Sequence, residues 1–280
     1  MTNVLNCNLT AGTSLTGREQ LIALTGEHAA ISKQRVFHFE HEGRCYVVKK
    51  QAMKRSKIGY SILTLITKAL SIPALRGIPV PGGQPTQAIE IKRLISLSAA
   101  GVPVPSVVYV GENYFVMSCL GHCNVEFFLK NPGQQPAVFY WEQALAAILD
   151  AHHQGAYLSQ AFIRNMIAGD DRPVAFVDFE DDPGTLMPIH LAQARDWLLY
   201  LLSSSLRLDI PPKEQADIIL NYLRQDRMEV QEAVFACASK IALFRFIFRR
   251  KKPYHNRDLQ SFNVFIQLMQ DVGSRCFTRV

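Results

Sequence analysis

The sequence predicts an α+β fold, in which a strand-rich N-terminal lobe is followed by a helical C-terminal lobe. Two apolar and aromatic runs with short polar turns, at residues 35–50 and 104–117, are typical of β-hairpins. Beyond residue 120 the apolar residues recur mostly at helical spacing, and one strand pair between 165 and 178 interrupts them. The predicted parts are a flexible N-terminus (1–17), the N-terminal lobe (18–120) and the helical C-terminal lobe (121–280).

Turn residues and periodicity place the elements of the N-terminal lobe in order. The polar turn of the first hairpin ends at Gly43, and an apolar insert at 58–80, interrupted by prolines, comes later. Thr86 is the predicted N-cap of a helix that continues until Gly101. The second hairpin then leads to a predicted hinge at 118–121, which separates the two lobes.

The C-terminal lobe is predicted to be built from helices. Their apolar residues recur every three or four positions, which is the period of an amphipathic helix. The predicted helices span 141–153, 189–205, 212–223, 228–248 and approximately 258–269.

Composition favours a cytoplasmic globular protein. With 280 residues, 48% of them hydrophobic, the chain can bury a substantial core. No apolar run reaches the roughly 18 residues of a bilayer span, and residues 1–17 lack the charged-then-apolar order of a signal peptide. Of the six cysteines only Cys119 and Cys123 are close in sequence, and no histidine pair accompanies them at zinc spacing. We therefore expect reduced thiols.

The net charge of +6 is unevenly distributed along the chain. Basic residues cluster at 49–57 and 245–257, whereas acidic residues concentrate at 178–182. Basic clusters attract anions such as nucleotides or phospholipid headgroups, although a solvated helix end explains each cluster equally well. Nucleic acid is not an expected partner, because no stacking-aromatic or groove-reading motif accompanies the charge.

The most informative pattern is an amide and a carboxylate on either side of the strand pair. Asn165 precedes the pair and Asp178 follows it, so a hairpin would bring two oxygen ligands for Mg²⁺ together. Lys49, on a predicted strand, is a candidate ligand for phosphates; Lys50 points to the opposite face, so only one can serve, and Lys49 is favoured. Glu90 lies among apolar neighbours on the predicted helix, which either a pairing with Lys49 or an exposed charge explains.

These residues occur in an order that resembles a known family. His152-His153-Gln154-Gly155 ends a helix just before a loop at 158–165, and the sequence Gly-Val-Pro-Val-Pro at 101–105 precedes the second hairpin. The arrangement resembles the Kdo/WaaP lipopolysaccharide kinase family, small atypical bacterial proteins of the protein-kinase fold, over residues 26–205. It is also similar to the related RIO-type and aminoglycoside-type phosphotransferases. The resemblance implies a bilobal protein-kinase-like fold with ATP and Mg²⁺ as cofactors.

The resemblance also implies a role for each site residue. Asn165 and Asp178 would hold Mg²⁺, Lys49 would bind phosphates and Glu90 would orient Lys49. Asp196 would brace the catalytic loop from below. The residues that would contact adenine in the hinge are Met117, Cys119 and Leu120.

The chain departs from the family pattern at two places. Gln160 stands where such enzymes carry the Asp that accepts the proton of the substrate hydroxyl, so it would only position the acceptor. No glycine-rich phosphate loop precedes Lys49, and residues 26–30 are the nearest candidate. The acidic residues 180–182 are interpreted either as a substitute carboxylate with extra metal contacts or as a solvated turn.

Two further segments carry alternative interpretations. The apolar face of the helix at 228–248, followed by four cations at 249–252, predicts either core packing or docking on an anionic membrane. Residues 257–263 spell the Arg-Asp-Leu-x-x-x-Asn of a kinase catalytic loop, with Asp-Val-Gly following at 271–273. Too few residues separate the two motifs for a strand pair, so we interpret this segment as an amphipathic helix.

Two functions are therefore predicted. The first is an ATP-dependent phosphotransferase that acts on a hydroxyl of a lipopolysaccharide-core or other envelope saccharide, or of a protein. The second is a pseudokinase, a nucleotide-binding scaffold without turnover, which Gln160 favours. Either would be cytoplasmic, with a peripheral contact at the inner membrane as a further expectation.

Overall fold

The structure is a computed structural model that describes residues 17–52, 71–243 and 257–276. The N-terminal part combines a four-stranded antiparallel sheet with two long helices, and helices dominate the remainder, so the predicted α+β class is confirmed. Helical residues outnumber strand residues in the described N-terminal part as well, so it is not strand-rich as predicted. The larger part of the apolar insert, the cations at 249–252 and the first sixteen residues lie outside the described ranges.

A four-stranded antiparallel sheet organises the N-terminal part. Its elements are α1 (Gly17–Ile31), β1 (Val36–His41), β2 (Arg44–Lys50), α2 (Gly83–Ala99), β3 (Val107–Val110) and β4 (Tyr114–Ser118). The strand order is β1-β2-β4-β3, so both predicted hairpins are present and their inner strands pair with each other. The first hairpin turns through Glu42 and Gly43, both with positive φ, which matches the right-handed twist of the strands it joins.

Helix α2 starts earlier than its sequence suggested. Gly82 is the residue that caps the helix, and Thr86 lies one turn inside it. The Thr86 hydroxyl accepts a hydrogen bond of 2.7 Å from Gly82 N, so it does satisfy a backbone donor at the helix start. The predicted end is confirmed, since Gly101 follows the helix in the left-handed conformation that closes many helices.

The rest of the described chain is helical apart from one hairpin. Its elements are α3 (Val125–Lys130), α4 (Ala137–His153), β5 (Met166–Gly169), β6 (Arg172–Phe176), α5 (Ile189–Ser204), α6 (Pro212–Leu223), α7 (Met228–Leu243) and α8 (Arg257–Cys276). The short helix α3 was not predicted, although Asn124 supplies an ordinary N-cap by accepting a hydrogen bond from Phe127 N at 2.9 Å. The segment 257–263 lies in α8, so its interpretation as a helix is confirmed.

Helix α5 is the centre of the hydrophobic core. Residues 192–201 are buried on all sides, which is the pattern of a helix enclosed by other elements. Trp141 of α4 packs beside it, and the buried polar atoms at this contact are satisfied: Trp141 Nε1 donates to Ser204 Oγ at 3.0 Å, and Tyr200 OH donates to Trp141 O at 2.7 Å. This core fixes the loop at 158–165, which carries part of the candidate site.

Helix α7 packs its apolar face against α5 and α8. Val230, Val234, Cys237 and Ile241 are all buried, as the core-packing alternative predicts for this face. The aromatic and cationic residues after 243, on which the membrane interpretation depends, lie outside the described ranges. Within the part of the chain that is described, no helix has both the length and the hydropathy that a bilayer crossing requires.

Candidate functional site

One face of the four-stranded sheet brings several predicted site residues into a row. Side chains alternate between faces along a strand, so Cys45, Val47 and Lys49 of β2 share a face. Val47 is paired with Met117 of β4, and Phe115 is paired with Lys49, which places both β4 residues on that face too. Cys119 follows Met117 by two residues, and its backbone N donates to Cys45 O at 3.2 Å. The row therefore leads from Lys49 at one end to Cys119 at the other.

At its first end the row meets three carboxylates. Lys49 Nζ lies 2.7 Å from Glu90 Oε1, 2.8 Å from Asp178 Oδ1 and 3.2 Å from Glu180 Oε1. Lys49 and Glu90 are 4% and 2% exposed, so their ion pair is shielded from water. The predicted pairing of Lys49 with Glu90 is thus present, and the exposed-charge alternative for Glu90 is wrong.

Lys50 serves a different purpose on the opposite face. Its Nζ donates to Ala29 O at 3.1 Å and to Ser32 O at 2.6 Å, at the C-terminal end of α1. A cation at that end satisfies carbonyl groups that have no partner within the helix. Of the two lysines, only Lys49 reaches the carboxylates.

The pKa values in this cluster show how strongly its charges interact. Burial alone would lower the pKa of Lys49, but the carboxylates of Glu90, Asp178 and Glu180 outweigh it and raise the pKa to about 12. Burial raises the pKa of Glu90 in spite of Lys49, whereas Lys49 outweighs burial at Asp178 and lowers its pKa. Asp178 is therefore an ionised carboxylate at neutral pH.

The carboxylate oxygen atoms of Glu90, Asp178 and Glu180 are the type of ligand that a hard cation binds. They lie within 4.8 Å of one another, and oxygen is the ligand that Mg²⁺ prefers. The Lys49 ammonium already lies among them and Arg35 donates to Glu180, so the inner part of the cluster is charge-compensated. Asp178, with its side chain 32% exposed, is the carboxylate of this cluster that can accept a further ligand.

The β5–β6 hairpin holds Asn165 close to Asp178, as its sequence predicted. Val177 N donates to Asn165 O at 3.0 Å, which joins the residue before the hairpin to the one preceding Asp178. Asn165 Nδ2 donates to Gln160 O at 3.1 Å, so the amide oxygen, the metal-binding atom, is directed away from that bond. Asn165 and Asp178 can therefore present oxygen atoms from the two ends of one hairpin.

Backbone strain is concentrated at the same place. Asp178 and Ser159 have φ values of 72° and 70°, in the left-handed region that non-glycine residues rarely adopt. Each such residue costs roughly 1–3 kcal/mol and persists only where the surroundings enforce it, most often at functional sites. One of these residues, Asp178, contacts Lys49, and the other, Ser159, directly precedes Gln160.

Gln160 is half-buried and lies beside the carboxylate of Asp181, a contact that the sequence around Gln160 did not indicate. Burial raises the pKa of Asp181 to about 6, although the charge of Arg195 and an interaction with the Gln160 side chain oppose the shift. Asp181 and Glu180 are only 5% and 2% exposed, so the solvated-turn alternative for this acidic run is wrong at both residues. A carboxylate thus lies next to Gln160, one contact away from where an acceptor would be positioned.

The raised pKa of Asp181 predicts a pH dependence of stability. The pKa of Asp181 in the fold, about 6, lies above its ordinary value of 3.8. Ionisation of Asp181 therefore destabilises the fold progressively as pH rises through this interval, and the full loss is reached above it. Asn at this position has no carboxyl group to ionise. We therefore expect the free energy of unfolding of wild type to fall by about 1 kcal/mol, relative to that of Asp181→Asn, between pH 5 and pH 7.5. Urea unfolding at both pH values measures the difference in free energy of unfolding between wild type and Asp181→Asn. If this difference is the same at both pH values, the pKa of Asp181 is not raised. Asp171→Asn, at an exposed position, is the control. Its free energy of unfolding should differ from that of wild type by the same amount at both pH values.

A buried histidine supports the loop that carries Gln160. His152 Nδ1 lies 2.6 Å from Asp226 Oδ2, and its Nε2 lies 3.4 Å from Asp196 Oδ2. Asp196 also accepts a hydrogen bond of 2.6 Å from Leu158 N, a contact of the kind that the family resemblance implied for it. Burial alone would lower the pKa of His152, but the two aspartates outweigh it and raise the pKa.

The predicted adenine contacts lie at the far end of the row, with part of their backbone already engaged. Met117 is buried within β4, and Cys119 N donates to Cys45 O. Leu120 O accepts a hydrogen bond from Arg172. Recognition of a base through Cys119 N would therefore require its present bond to be exchanged, whereas Leu120 O can accept a second hydrogen bond.

The nearest candidate for a phosphate-binding loop is wrong. Residues 26–30 lie within helix α1, because the whole segment Gly17–Ile31 is helical. Its backbone N–H groups there are used in helix hydrogen bonds and cannot surround a phosphate.

One group of residues was not predicted at all. The structure brings His38, Cys119 and His122 together at the second end of the row, with ligand atoms within 4.8 Å of one another. Cys45 lies against Cys119; burial, more than this contact, raises its pKa to about 12. Burial, together with His122, lowers the pKa of His38, so its imidazole is neutral at pH 7. The Cys-x-x-His spacing of residues 119–122 is the sequence signal that could have indicated this group.

Comparison with protein-family models and with curated protein sequences gives no match for this chain. The site is therefore interpreted from its own contacts.

Proposed function

We propose that this chain is an ATP-dependent phosphotransferase with a bilobal, protein-kinase-like fold, in which the nucleotide lies between the sheet and the helical part. The observation that supports it best is the contact of Lys49 with both Glu90 and Asp178. Three residues far apart in sequence meet there, on a sheet strand, a helix and the residue after a hairpin. A buried cation beside an accessible carboxylate is the combination that phosphate and its metal ion require.

In this proposal the chain's own residues bind and orient the reactants. Glu90 fixes Lys49, whose ammonium would bind the phosphates of ATP, and Asp178 would release Lys49 to bind Mg²⁺ together with Asn165. When bound, Mg²⁺ supplies neutralisation of the phosphate charge. The acceptor oxygen would form a bond to the γ-phosphorus as the bond from that phosphorus to the leaving oxygen of ADP breaks.

Gln160 would position the acceptor hydroxyl rather than take its proton. Its side chain interacts with Asp181, which orients the amide. A loose transition state places little demand on a base, so transfer without an aspartate at this position would be slow rather than impossible. The hydroxyl proton would pass to the transferred phosphoryl group or to water.

The acceptor is proposed by chemistry and resemblance together. A hydroxyl of a lipopolysaccharide-core or other envelope saccharide at the cytoplasmic face of the inner membrane is the first choice, and a protein hydroxyl is the second. Peripheral contact with an anionic membrane, through the cations at 249–252, would bring the enzyme to a lipid-linked acceptor. No contact with nucleic acid is part of the proposal.

The second candidate is a pseudokinase that binds nucleotide without turnover. Gln160 favours it, and so does the engagement of the Cys119 backbone N–H in a bond within the protein. Both candidates share the Lys49 and Asp178 cluster, so nucleotide binding alone does not separate them. Turnover does.

Gln160→Asp is the variant that distinguishes the two. A carboxylate at this position could accept the hydroxyl proton, a contribution of about 10²–10⁴-fold in enzymes that use it, so we expect ATP turnover to rise at least tenfold. Release of ADP with and without saccharide acceptors measures it. Gln134→Asp, at an exposed position between α3 and α4, is the matched control and should leave turnover unchanged. Absence of turnover in wild type and in Gln160→Asp, with nucleotide bound to both, would favour the scaffold.

A further inference from the structure

We propose that His38, Cys119 and His122, with Cys45 as the fourth ligand, bind a zinc ion at the second end of the sheet row. The site is distinct from the Lys49 cluster and does not depend on the proposed phosphotransferase function. Two imidazoles and two thiols form the Cys₂His₂ donor set of structural zinc centres. Nitrogen and sulfur donors select zinc over Mg²⁺ or Ca²⁺, which prefer oxygen.

Strand register places the ligands on one face. His38 of β1 is paired with Val47 of β2, and Val47 with Met117 of β4. Cys45 and Cys119 each lie two positions from a member of this trio, so their side chains point to the same face as that of His38. Three of the four ligands thus project from adjacent strands of one sheet, which is a rigid support for a metal.

The distances among three of the four ligands need only small adjustments, whereas Cys45 contacts Cys119 but does not belong to the group within 4.8 Å. The ligand atoms of His38, Cys119 and His122 lie within 4.8 Å of one another, and the two imidazole centroids are 4.6 Å apart. Metal–ligand bonds of about 2.0–2.3 Å put the ligand atoms of a tetrahedral zinc site roughly 3.3–3.8 Å apart. Rotation of exposed histidine side chains covers the difference, because His38 and His122 are both at the surface.

The ligand atoms make few other contacts. Neither imidazole makes a hydrogen bond to any other residue in the described ranges, which is unusual for two polar rings in contact. Cys45 and Cys119 are free thiols. Apart from their contact with each other, each makes one long contact of 3.8 Å with a backbone carbonyl, Cys119 Sγ with Gly121 O and Cys45 Sγ with Tyr46 O. A bound ion would satisfy all four groups at once.

The position of the site suggests what it would do. His38 and Cys45 belong to the first hairpin, whereas His122 lies after β4, in the segment that leads to the helical part. A metal ion would therefore join the first hairpin to the connection between the two parts of the chain, and stabilise the fold through that link.

Metal titration of the full, reduced chain tests the site. After removal of metal by a chelator, zinc is titrated in competition with a chromophoric chelator, and Co²⁺ is added as a spectroscopic probe. We expect one equivalent to bind and Co²⁺ to show the visible bands of a tetrahedral ion with a sulfur-to-cobalt charge-transfer band. Cys119→Ser and His38→Ala should each weaken zinc binding by more than the roughly 10–100-fold that loss of an outer-shell partner costs.

Matched variants make the result decisive. Cys123→Ser changes a half-buried cysteine outside the cluster and should bind zinc as wild type does. If wild type, Cys119→Ser and His38→Ala bind zinc with equal affinity, the proposed site is wrong. If the Co²⁺ spectrum of Cys45→Ser is the same as that of wild type, Cys45 is not a ligand. Circular dichroism of each metal-free variant checks that it is folded. Because Mg·ATP binding is measured separately at Lys49, failure of one proposal leaves the other standing.

Discussion

Asp178→Asn is expected to abolish the rise in melting temperature that Mg·ATP gives the wild-type chain. A ligand at about 100 times its Kd stabilises the folded state by roughly 2.7 kcal/mol, which raises Tm by about 5–10 °C in a chain of this size. Asp178 is the exposed carboxylate of the Lys49 cluster, and an amide in its place would bind Mg²⁺ far more weakly. Thermal unfolding with and without Mg·ATP measures the shift.

The unliganded variant should stay folded, because Lys49 keeps its contacts with Glu90 and Glu180. Asp171→Asn, an exposed change in the turn of the same hairpin, is the matched control and should retain the full shift. An undiminished shift in Asp178→Asn would remove Asp178 from the metal site. No shift in wild type would contradict both the enzyme and the scaffold.

Local sequence pattern was sufficient for the inner part of the site. Strand alternation separates Lys49 from Lys50, and the apolar neighbours of Glu90 indicated a pairing with Lys49 as one of two alternatives, which the burial of Glu90 then decides. Asn165 and Asp178 bracket a short strand pair whose length leaves little choice but a hairpin. Each inference used residues within one element, where the periods of helix and strand apply.

Contacts across the chain were beyond such reasoning. Arg35 reaches Glu180 over 145 positions, and nothing local to Arg35 indicates its partner. Four acidic residues among five positions suggest a solvated turn, yet Asp181 is buried because the loop at 158–165 and Arg195 cover it. The meeting of His38 with His122 likewise depends on sheet order, which single strands do not specify.

The support of the Gln160 loop leads to the largest expected effect on stability. His152→Ala should reduce the free energy of unfolding by about 3–5 kcal/mol, the cost of removing one partner from a buried ion pair. The buried carboxylates of Asp196 and Asp226 would then face each other without the His152 imidazolium between them. Asp226 keeps the Trp197 indole at 2.7 Å, and Asp196 keeps Leu158 N, so the fold should weaken rather than fail.

The pH dependence of the same residue gives an independent check. The pKa of His152 in the fold is raised above its ordinary 6.5, so the stability from its protonation is fully present below pH 6.5 and is lost as pH rises through the folded pKa. The difference between wild type and His152→Ala should therefore shrink at alkaline pH. His153→Ala, at the exposed neighbouring position, should cost within about 0.5 kcal/mol at every pH. Urea unfolding at pH 6 and pH 9 measures both, and a pH-independent difference would show that His152 is neutral. In that event the aspartates would hold the loop at Leu158 by hydrogen bonds alone, and positioning of Gln160 would not depend on a buried charge.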